Sequence, residues 1–122
     1  MLAALPFLGR ALATATSLRG KLHTGLQPQL GAVKLSGDEP TMGVLADDRL
    51  INADFEALGQ RVDAGQFKIA PIHTRSLFVH QQGKRLMVTY WCDVCYIRTY
   101  TPGKCWCCQK DTELDPRESV SD

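Results

Sequence analysis

All five cysteines of the chain fall within residues 92–108, at positions 92, 95, 105, 107 and 108. Four of them form the pattern C-x2-C-x9-C-x2-C, namely Cys92, Cys95, Cys105 and Cys108. Structural Zn²⁺ is held by four soft donors in a tetrahedron, and two C-x2-C pairs joined by a hairpin supply that geometry. Pro102 and Gly103 favour the required turn. Because four thiolates leave no open coordination position, we predict one structural Zn²⁺ per chain and no metal-bound water.

The segment 1–25 contains Arg10, Arg19 and Lys21 but no acid, and it is rich in Ala, Leu, Ser and Thr. This composition is typical of a mitochondrial presequence. A secretory signal has a positive start followed by an unbroken apolar stretch, whereas Arg10 interrupts the apolar stretch here. We therefore predict a targeting presequence over residues 1–25, cleavage between Arg19 and Gly31, and location on the matrix side of the mitochondrion. The alternative is a structural amphipathic helix, which the Pro and Gly residues of this segment disfavour.

Three other uses of the cysteines are less well supported by the sequence. Disulfides are disfavoured in a matrix protein because the compartment keeps thiols reduced. Twin C-x9-C proteins join two helices by disulfides, but this chain has only one such gap, and Thr, Pro and Gly within it oppose a helix. A redox C-x2-C enzyme needs a βαβ scaffold, and none precedes the cysteines.

Cys107, His73 and His80 are the remaining candidate ligands. Cys107 can exchange roles with Cys105 or Cys108, but the repeated C-x2-C spacing favours leaving it out, as a small buried thiol. The two histidines are better explained as side chains at strand edges. We therefore keep the set of four cysteines.

The segments before the cysteines predict an arm followed by a helix. Residues 26–50 are rich in Gly, Pro and Gln and have no sustained periodicity, which favours an extended arm. Four apolar residues then recur at spacings of four, three and four: Ile51, Phe55, Leu58 and Val62. This spacing predicts a helix over about 53–64, with Asn52 as N-cap and Gly65 as its stop.

Residues 66–91 are rich in β-branched and aromatic residues, and Gln82-Gly83 suits a hairpin turn. On the second strand, alternate residues are apolar on both faces, so we expect both faces to be covered. Residues 51–110 are thus expected to form one domain, followed by an acidic tail over 111–122. The predicted fold is small α+β: one short amphipathic helix, a β-hairpin and a four-cysteine zinc ribbon, with an extended N-terminal arm and a disordered acidic C-terminal tail.

Charge alternates in blocks along the chain. Residues 1–37 carry +4, residues 38–66 carry −5, residues 67–110 carry +6 and residues 111–122 carry −4. The basic block also contains Tyr90, Trp91, Tyr96, Tyr100 and Trp106. Lys and Arg meet phosphates and aromatic rings stack on unpaired bases, so the mixture suits RNA, although the aromatic residues can also serve as the core of a small module. The predicted RNA-contacting residues are Lys84, Arg85, Arg98 and Lys104.

The cysteine spacing resembles that of the zinc ribbon in L32-type proteins of the bacterial and mitochondrial large ribosomal subunit, and secondly that of RanBP2-type fingers. The chain has Tyr96 and Gln109 where glycine often follows each C-x2-C pair in such sites. The resemblance implies a zinc-binding module and covers about seventeen positions. No resemblance extends over the whole chain.

No triad, pair of catalytic carboxylates, phosphate loop or open metal site is evident in the sequence, which predicts a protein that is not an enzyme. No apolar run reaches the ~18 residues of a membrane-spanning helix. We expect a small structural zinc-binding subunit of a large mitochondrial protein complex, with no small-molecule substrate. The first candidate is the mitochondrial ribosome, through rRNA contact. The second is a zinc-containing accessory subunit or assembly factor of a respiratory-chain complex, and a free matrix zinc protein is a third.

Overall fold

The structure, a computed structural model, describes residues 16–118 and contains ten strands and one α-helix within that range. The strands are β1 Thr16–His23, β2 Gln29–Leu30, β3 Val33–Ser36, β4 Asp54–Asp63, β5 Gln66–Ile69, β6 Leu77–Gln81, β7 Lys84–Met87, β8 Tyr90–Cys92, β9 Ile97–Thr99 and β10 Glu113–Leu114. The helix α1, Glu39–Leu45, lies between β3 and β4, and short 3-10 helices cover Asp48–Leu50 and His73–Arg75. The fold is therefore mostly β.

The first five strands form a closed barrel. Strand β1 pairs antiparallel with both β2 and β4, β2 with β3, and β4 with β5, while β3 and β5 are parallel. The ring runs β1-β2-β3-β5-β4 and returns to β1. This order, with a helix between the third and fourth strands, is that of an OB-fold barrel, an architecture that hosts many unrelated functions.

The helix predicted over 53–64 is wrong, because these residues form β4. Along this strand Phe55, Ala57 and Gly59 alternate inward and are buried. Ile51 and Val62, which completed the helical spacing, are exposed. The inward Ala and Gly are only weakly hydrophobic, so the alternation of apolar and polar residues that marks a strand is not visible in the sequence. Pairing with other strands on both edges of β4 then outweighs the local propensity.

The extended arm predicted over 26–50 is also wrong. This segment contains β2, β3, α1 and the first 3-10 helix, and its buried apolar residues belong to the core: Leu30, Leu35, Val44, Leu45 and Leu50. The helix begins after Asp38, whose Oδ1 accepts a hydrogen bond from the backbone N–H of Thr41 at 3.0 Å. Strands as short as β2 and β3 show no periodicity in the sequence.

The predicted presequence overlaps the barrel. Residues 1–15 lie outside the described residues, but Thr16–His23 form β1, whose residues 16–21 pair with 54–59 of β4. Leu22 of this strand is fully buried in the core. Cleavage anywhere between Arg19 and Gly31 would remove part or all of β1.

Beyond the barrel, β6 pairs with β4 and leads through a hairpin into a second, three-stranded sheet with the order β10-β8-β9. The hairpin turn at Gln82-Gly83 is confirmed: both residues have positive φ, 53° and 78°. Both faces of the 86–91 segment are covered, as expected, since each of its residues is buried or half-buried.

The C-terminal segment and the zinc ribbon differ from the prediction. Glu113 and Leu114 pair with Trp91 and Tyr90, so the disordered tail is wrong for residues 111–118, and residues 119–122 lie outside the described range. A zinc ribbon is not shown: the structure has a cluster of four cysteines beside the three-stranded sheet. No helix within residues 16–118 is long and apolar enough to cross a membrane.

Gly59 sets how closely β4 and β5 approach. A Cβ built there would lie 2.0 Å from the carbonyl oxygen of Lys68, a contact that only backbone movement can relieve. We expect Gly59→Ala to lower the free energy of unfolding by about 3 kcal/mol or more, measured by urea denaturation. The control is Gly43→Ala on α1, where a Cβ meets nothing within 4 Å. It should be neutral or stabilising by up to about 1 kcal/mol, because alanine is the better helix former. Equal stability of the two variants would contradict this account of barrel closure.

Candidate metal centre

The cysteines lie on two turns of the same shape, called here the first knuckle (residues 92–96) and the second knuckle (residues 105–109). In the first, the N–H of Tyr96 donates to the carbonyl oxygen of Cys92 at 2.9 Å. In the second, the N–H of Gln109 donates to the carbonyl oxygen of Cys105 at 2.8 Å. Both Tyr96 and Gln109 have positive φ, 55° and 65°. These are the positions where glycine often follows the cysteine pairs of zinc sites. The backbone thus has the left-handed conformation that favours glycine there, although neither residue is glycine.

The two knuckles bring together the four cysteines selected from the sequence. The sulfur atoms of Cys92, Cys95, Cys105 and Cys108 all lie within 4.8 Å of one another. The Sγ atoms of Cys92 and Cys108 lie 3.5 Å apart. A tetrahedral ion with metal–sulfur bonds of about 2.3 Å places its sulfurs about 3.8 Å apart, so the cluster has the size of such a site.

Backbone amides donate hydrogen bonds to two of the sulfurs. The N–H of Cys95 donates to Cys92 Sγ at 3.4 Å. The amides of Cys108 and Cys107 donate to the sulfur of Cys105 and lower its pKa to about 7. In contrast, a hydrogen bond with the Cys107 thiol, together with burial, raises the pKa of Cys95. Metal ligation requires thiolates, so binding to this cluster releases protons, and Cys105 ionises more easily than Cys95.

The other three candidate ligands are not part of the four-cysteine cluster. Cys107 is exposed, so the expectation of a buried thiol is wrong. His73 Nε2 lies 2.8 Å from the carbonyl oxygen of Tyr100, and His80 Nε2 lies 2.8 Å from Glu56 Oε1. Neither histidine belongs to the cysteine cluster.

Two hydrogen bonds that the sequence did not reveal join the three-stranded sheet and its neighbouring residues to the segment between α1 and β4. The Tyr90 hydroxyl donates to Asp47 Oδ2 at 2.9 Å, and Arg49 Nη1 donates to the carbonyl oxygen of Thr112 at 2.7 Å. The Arg49 guanidinium also lies 5.2 Å from the centre of the Tyr90 ring. Burial opposes ionisation of Asp47, but hydrogen bonds from Arg49 outweigh it and hold the pKa of this carboxyl below its usual value. The partners lie far apart in the sequence, so no local pattern could have found them.

Each of the four predicted RNA-contacting residues has an acidic partner within the chain. The ion pairs are Lys84–Glu118 at 2.8 Å, Arg85–Glu56 at 3.1 Å, Arg98–Asp115 at 2.9 Å and Lys104–Asp111 at 3.5 Å. The two guanidinium groups also stack on rings: Arg85 lies 3.8 Å from the centre of Phe78, and Arg98 lies 4.8 Å from that of Trp91. Each of these four positive charges therefore has a partner within the folded chain.

Three apolar side chains of the knuckles are exposed: Val94, Tyr96 and Trp106, called here the knuckle tip. Tyr96 is 75% exposed and Trp106 is 73% exposed. Of the aromatic residues expected around the hairpin, Tyr90 is fully buried instead, and Trp91 is half-buried with its ring centre 6.1 Å from that of Tyr96. Tyr90 thus contributes to packing, whereas Tyr96 and Trp106 remain exposed.

Comparison of the chain with protein-family models, with curated proteins and with solved structures gives no match. The cysteine cluster and its surroundings therefore carry the functional argument by their own chemistry.

The positive φ of Gln109 gives a direct test of the knuckle geometry. An L-residue in the left-handed region is strained, and glycine is not, so Gln109→Gly should raise the stability of the protein by about 1 kcal/mol. The control Lys110→Gly changes the next residue, whose φ is not positive, and should be destabilising by about 0.5–1 kcal/mol. Thermal unfolding of both variants measures the difference. A loss of stability in Gln109→Gly comparable to that in Lys110→Gly would show that the turn is built differently.

Proposed function

We propose that the cysteine cluster binds one structural Zn²⁺ and that this ion holds the knuckle tip in place for contact with RNA. The observation that carries the metal assignment is the close approach of four sulfurs within 4.8 Å, two of them receiving backbone N–H groups. An all-sulfur tetrahedral set suits Zn²⁺ or iron, and closed four-cysteine sites are the usual structural zinc sites.

Burial explains why the module needs an ion. Between residues 92 and 110, only Cys92 and Cys105 are buried. A segment with no apolar core of its own requires a cross-link, and a Zn²⁺ bound by both knuckles supplies it. Since no coordination position stays open for substrate or water, the proposed ion has a structural and not a catalytic role.

The knuckle tip supports the RNA part of the proposal. Exposed aromatic residues on a rigid support are typical of contact surfaces, and their faces stack on unpaired bases. Lys84 and Lys104 are each 64% exposed, so their ion pairs are weak and can exchange for phosphates. Arg98 is 18% exposed and paired with Asp115, which favours a structural role for this residue.

The setting of the protein remains a prediction from composition and charge. We retain the mitochondrial ribosome as first candidate and a respiratory-chain complex as second. In the second case the knuckle tip packs against protein. Sedimentation of the native protein with mitochondrial ribosomes, and its release by ribonuclease, distinguishes the two.

The metal proposal predicts unequal effects of cysteine substitutions. Wild type should contain one Zn²⁺ per chain, and Cys92→Ser or Cys108→Ser should lose it, with loss of binding energy on the order of 10 kcal/mol. Cys107→Ser should keep it. Elemental analysis after gel filtration gives the metal content, and thermal unfolding gives the structural consequence. Equal metal loss from Cys107→Ser and Cys108→Ser would refute the ligand set, and iron in place of zinc would refute the ion.

The RNA proposal predicts that the exposed aromatic residue is needed for binding but not for folding. Trp106→Ser should keep its zinc and weaken binding of a fluorescently labelled single-stranded RNA by about 1–3 kcal/mol, the usual value of one stacked base. The control Leu26→Ser removes a 98% exposed apolar residue from a barrel loop and should bind as wild type does. Fluorescence anisotropy measures both. Wild type that fails to bind the RNA, or identical affinities for the two variants, would favour the protein-contact alternative.

A further inference from the structure

The barrel has a small polar cleft on its surface where β3 and β5 pair side by side. The cleft has a volume of about 140 Å³, which is room for several waters or one phosphate group. Lysine, serine and glutamine side chains carry hydrogen-bond donors, and no acidic residue lines the cleft, so the lining suits an oxyanion better than a cation. The lining residues are Gln27, Lys34, Leu35, Ser36 and Gln66.

The strand register continues this row of donors with a second lysine. Strands β3 and β5 run parallel, with Lys34 opposite Gln66 and Ser36 opposite Lys68. All four residues are exposed, while the residues between them on each strand are buried in the core. Paired strands lie about 4.8 Å apart and rise about 3.3 Å per residue, so the Cα atoms of Lys34 and Lys68 are about 8 Å apart. Both ammonium groups can therefore reach the same stretch of a phosphate chain.

The polar side chains of this row are not engaged within the fold. Among residues 16–118, the side chains of Lys34, Ser36, Gln66 and Lys68 make no ion pair or hydrogen bond. In contrast, each of the four basic residues predicted to contact RNA is paired with an acid. A phosphate at the cleft displaces only water from the lysines, whereas at those other residues it has to replace a carboxylate.

One acid lies beside the cleft and limits its affinity for an isolated anion. Asp63 is opposite Gln66 in the β4–β5 register, and its Oδ1 accepts a hydrogen bond from the N–H of Gly65 at 2.8 Å. Its charge repels a phosphate that the lysines attract. A chain of phosphates that reaches both lysines is therefore a better ligand than a single free phosphate.

We propose that the cleft and Lys68 form a phosphate-binding site on the barrel, made of residues other than the knuckle tip, and that it takes the backbone phosphates of single-stranded RNA. This inference rests on the proposed function, because the RNA that stacks on the tip supplies the chain of phosphates. Ser36 and Gln66 can donate and accept hydrogen bonds, so they also suit the ribose hydroxyls that accompany the phosphates in RNA.

The experiment measures binding of a fluorescently labelled single-stranded RNA to the full chain by anisotropy at several salt concentrations. Lys34→Gln and Lys68→Gln should each reduce the slope of log affinity against log salt by about 0.7, and the double variant by about 1.4, because each lost phosphate contact releases fewer counterions. The matched control is Lys21→Gln, which removes an exposed lysine of β1 that lies opposite Asp54 and should leave the slope unchanged. All of these variants should keep the melting temperature of wild type.

Asp63→Asn tests the site in the opposite direction. It removes the negative charge and keeps an oxygen that can accept the hydrogen bond from Gly65, so RNA affinity should rise several-fold. In the background of the double lysine variant the same substitution should have a much smaller effect, because the phosphate it repels is no longer held there. An equal gain in both backgrounds would show that Asp63 acts on another part of the RNA and would count against the site.

The failures of the inference and of the proposed function are distinguishable. Equal salt slopes for wild type and the double lysine variant, with binding still weakened in Trp106→Ser, would overturn the inference alone. Wild type that does not bind the RNA would overturn the proposed function. Full competition by inorganic phosphate at matched ionic strength would assign the site to a free phosphate. Polyglutamate that binds as tightly as the RNA, with the same dependence on Lys34 and Lys68, would assign it to an acidic protein. Either of these last two results would overturn the RNA assignment.

Discussion

Strand β4 holds the described structure together because three other strands pair with it. Residues 54–59 pair with β1 on one edge, while residues 59–63 pair with β5 and residues 55–57 with β6 on the other. The pairing with β1 and β5 closes the barrel around the apolar core. Strand β6, which pairs with β4, leads through β7 to β8 and so to the cysteines. Both the barrel and the position of the cluster therefore depend on this one strand.

The two parts of the molecule are stabilised in different ways. The barrel buries a continuous apolar core, which loop residues such as Leu50 and helix residues such as Val44 complete. The knuckles bury almost nothing except sulfur and depend on cross-linking. The contact of Tyr90 with Asp47 joins the two, since Tyr90 belongs to the core cluster and begins the strand that ends at Cys92. Because the barrel does not need the ion for its core, loss of the metal should be felt first in the knuckles.

What could be predicted from the sequence is what depends on neighbouring residues. The four clustered cysteines lie close together in the sequence and the turn at Gln82-Gly83 depends on local conformation, so both were found from spacing and residue type. The barrel was missed because its closing pair joins Thr16 to Gly59, which are remote in the chain, and because Ala57 and Gly59 face the core without being strongly apolar. The ion pairs were missed for the same reason. The sequence around Lys84 gives no sign that the distant Glu118 lies 2.8 Å away.

The alternating charge blocks acquire a different meaning in the folded chain. The acidic segments before and after the basic block supply its partners, as Glu56 does for Arg85 and Asp115 does for Arg98. Segregation of charge along the sequence thus reflects, for these residues, pairing within the fold. The features that the fold leaves unexplained are fewer and more specific: an exposed tryptophan and tyrosine on the knuckles, and an exposed thiol beside four others. Exposure of such groups costs solubility and invites oxidation without stabilising the protein. Function is therefore to be sought at the knuckles, where exposure has no structural explanation, rather than in the net charge of the segment that contains them.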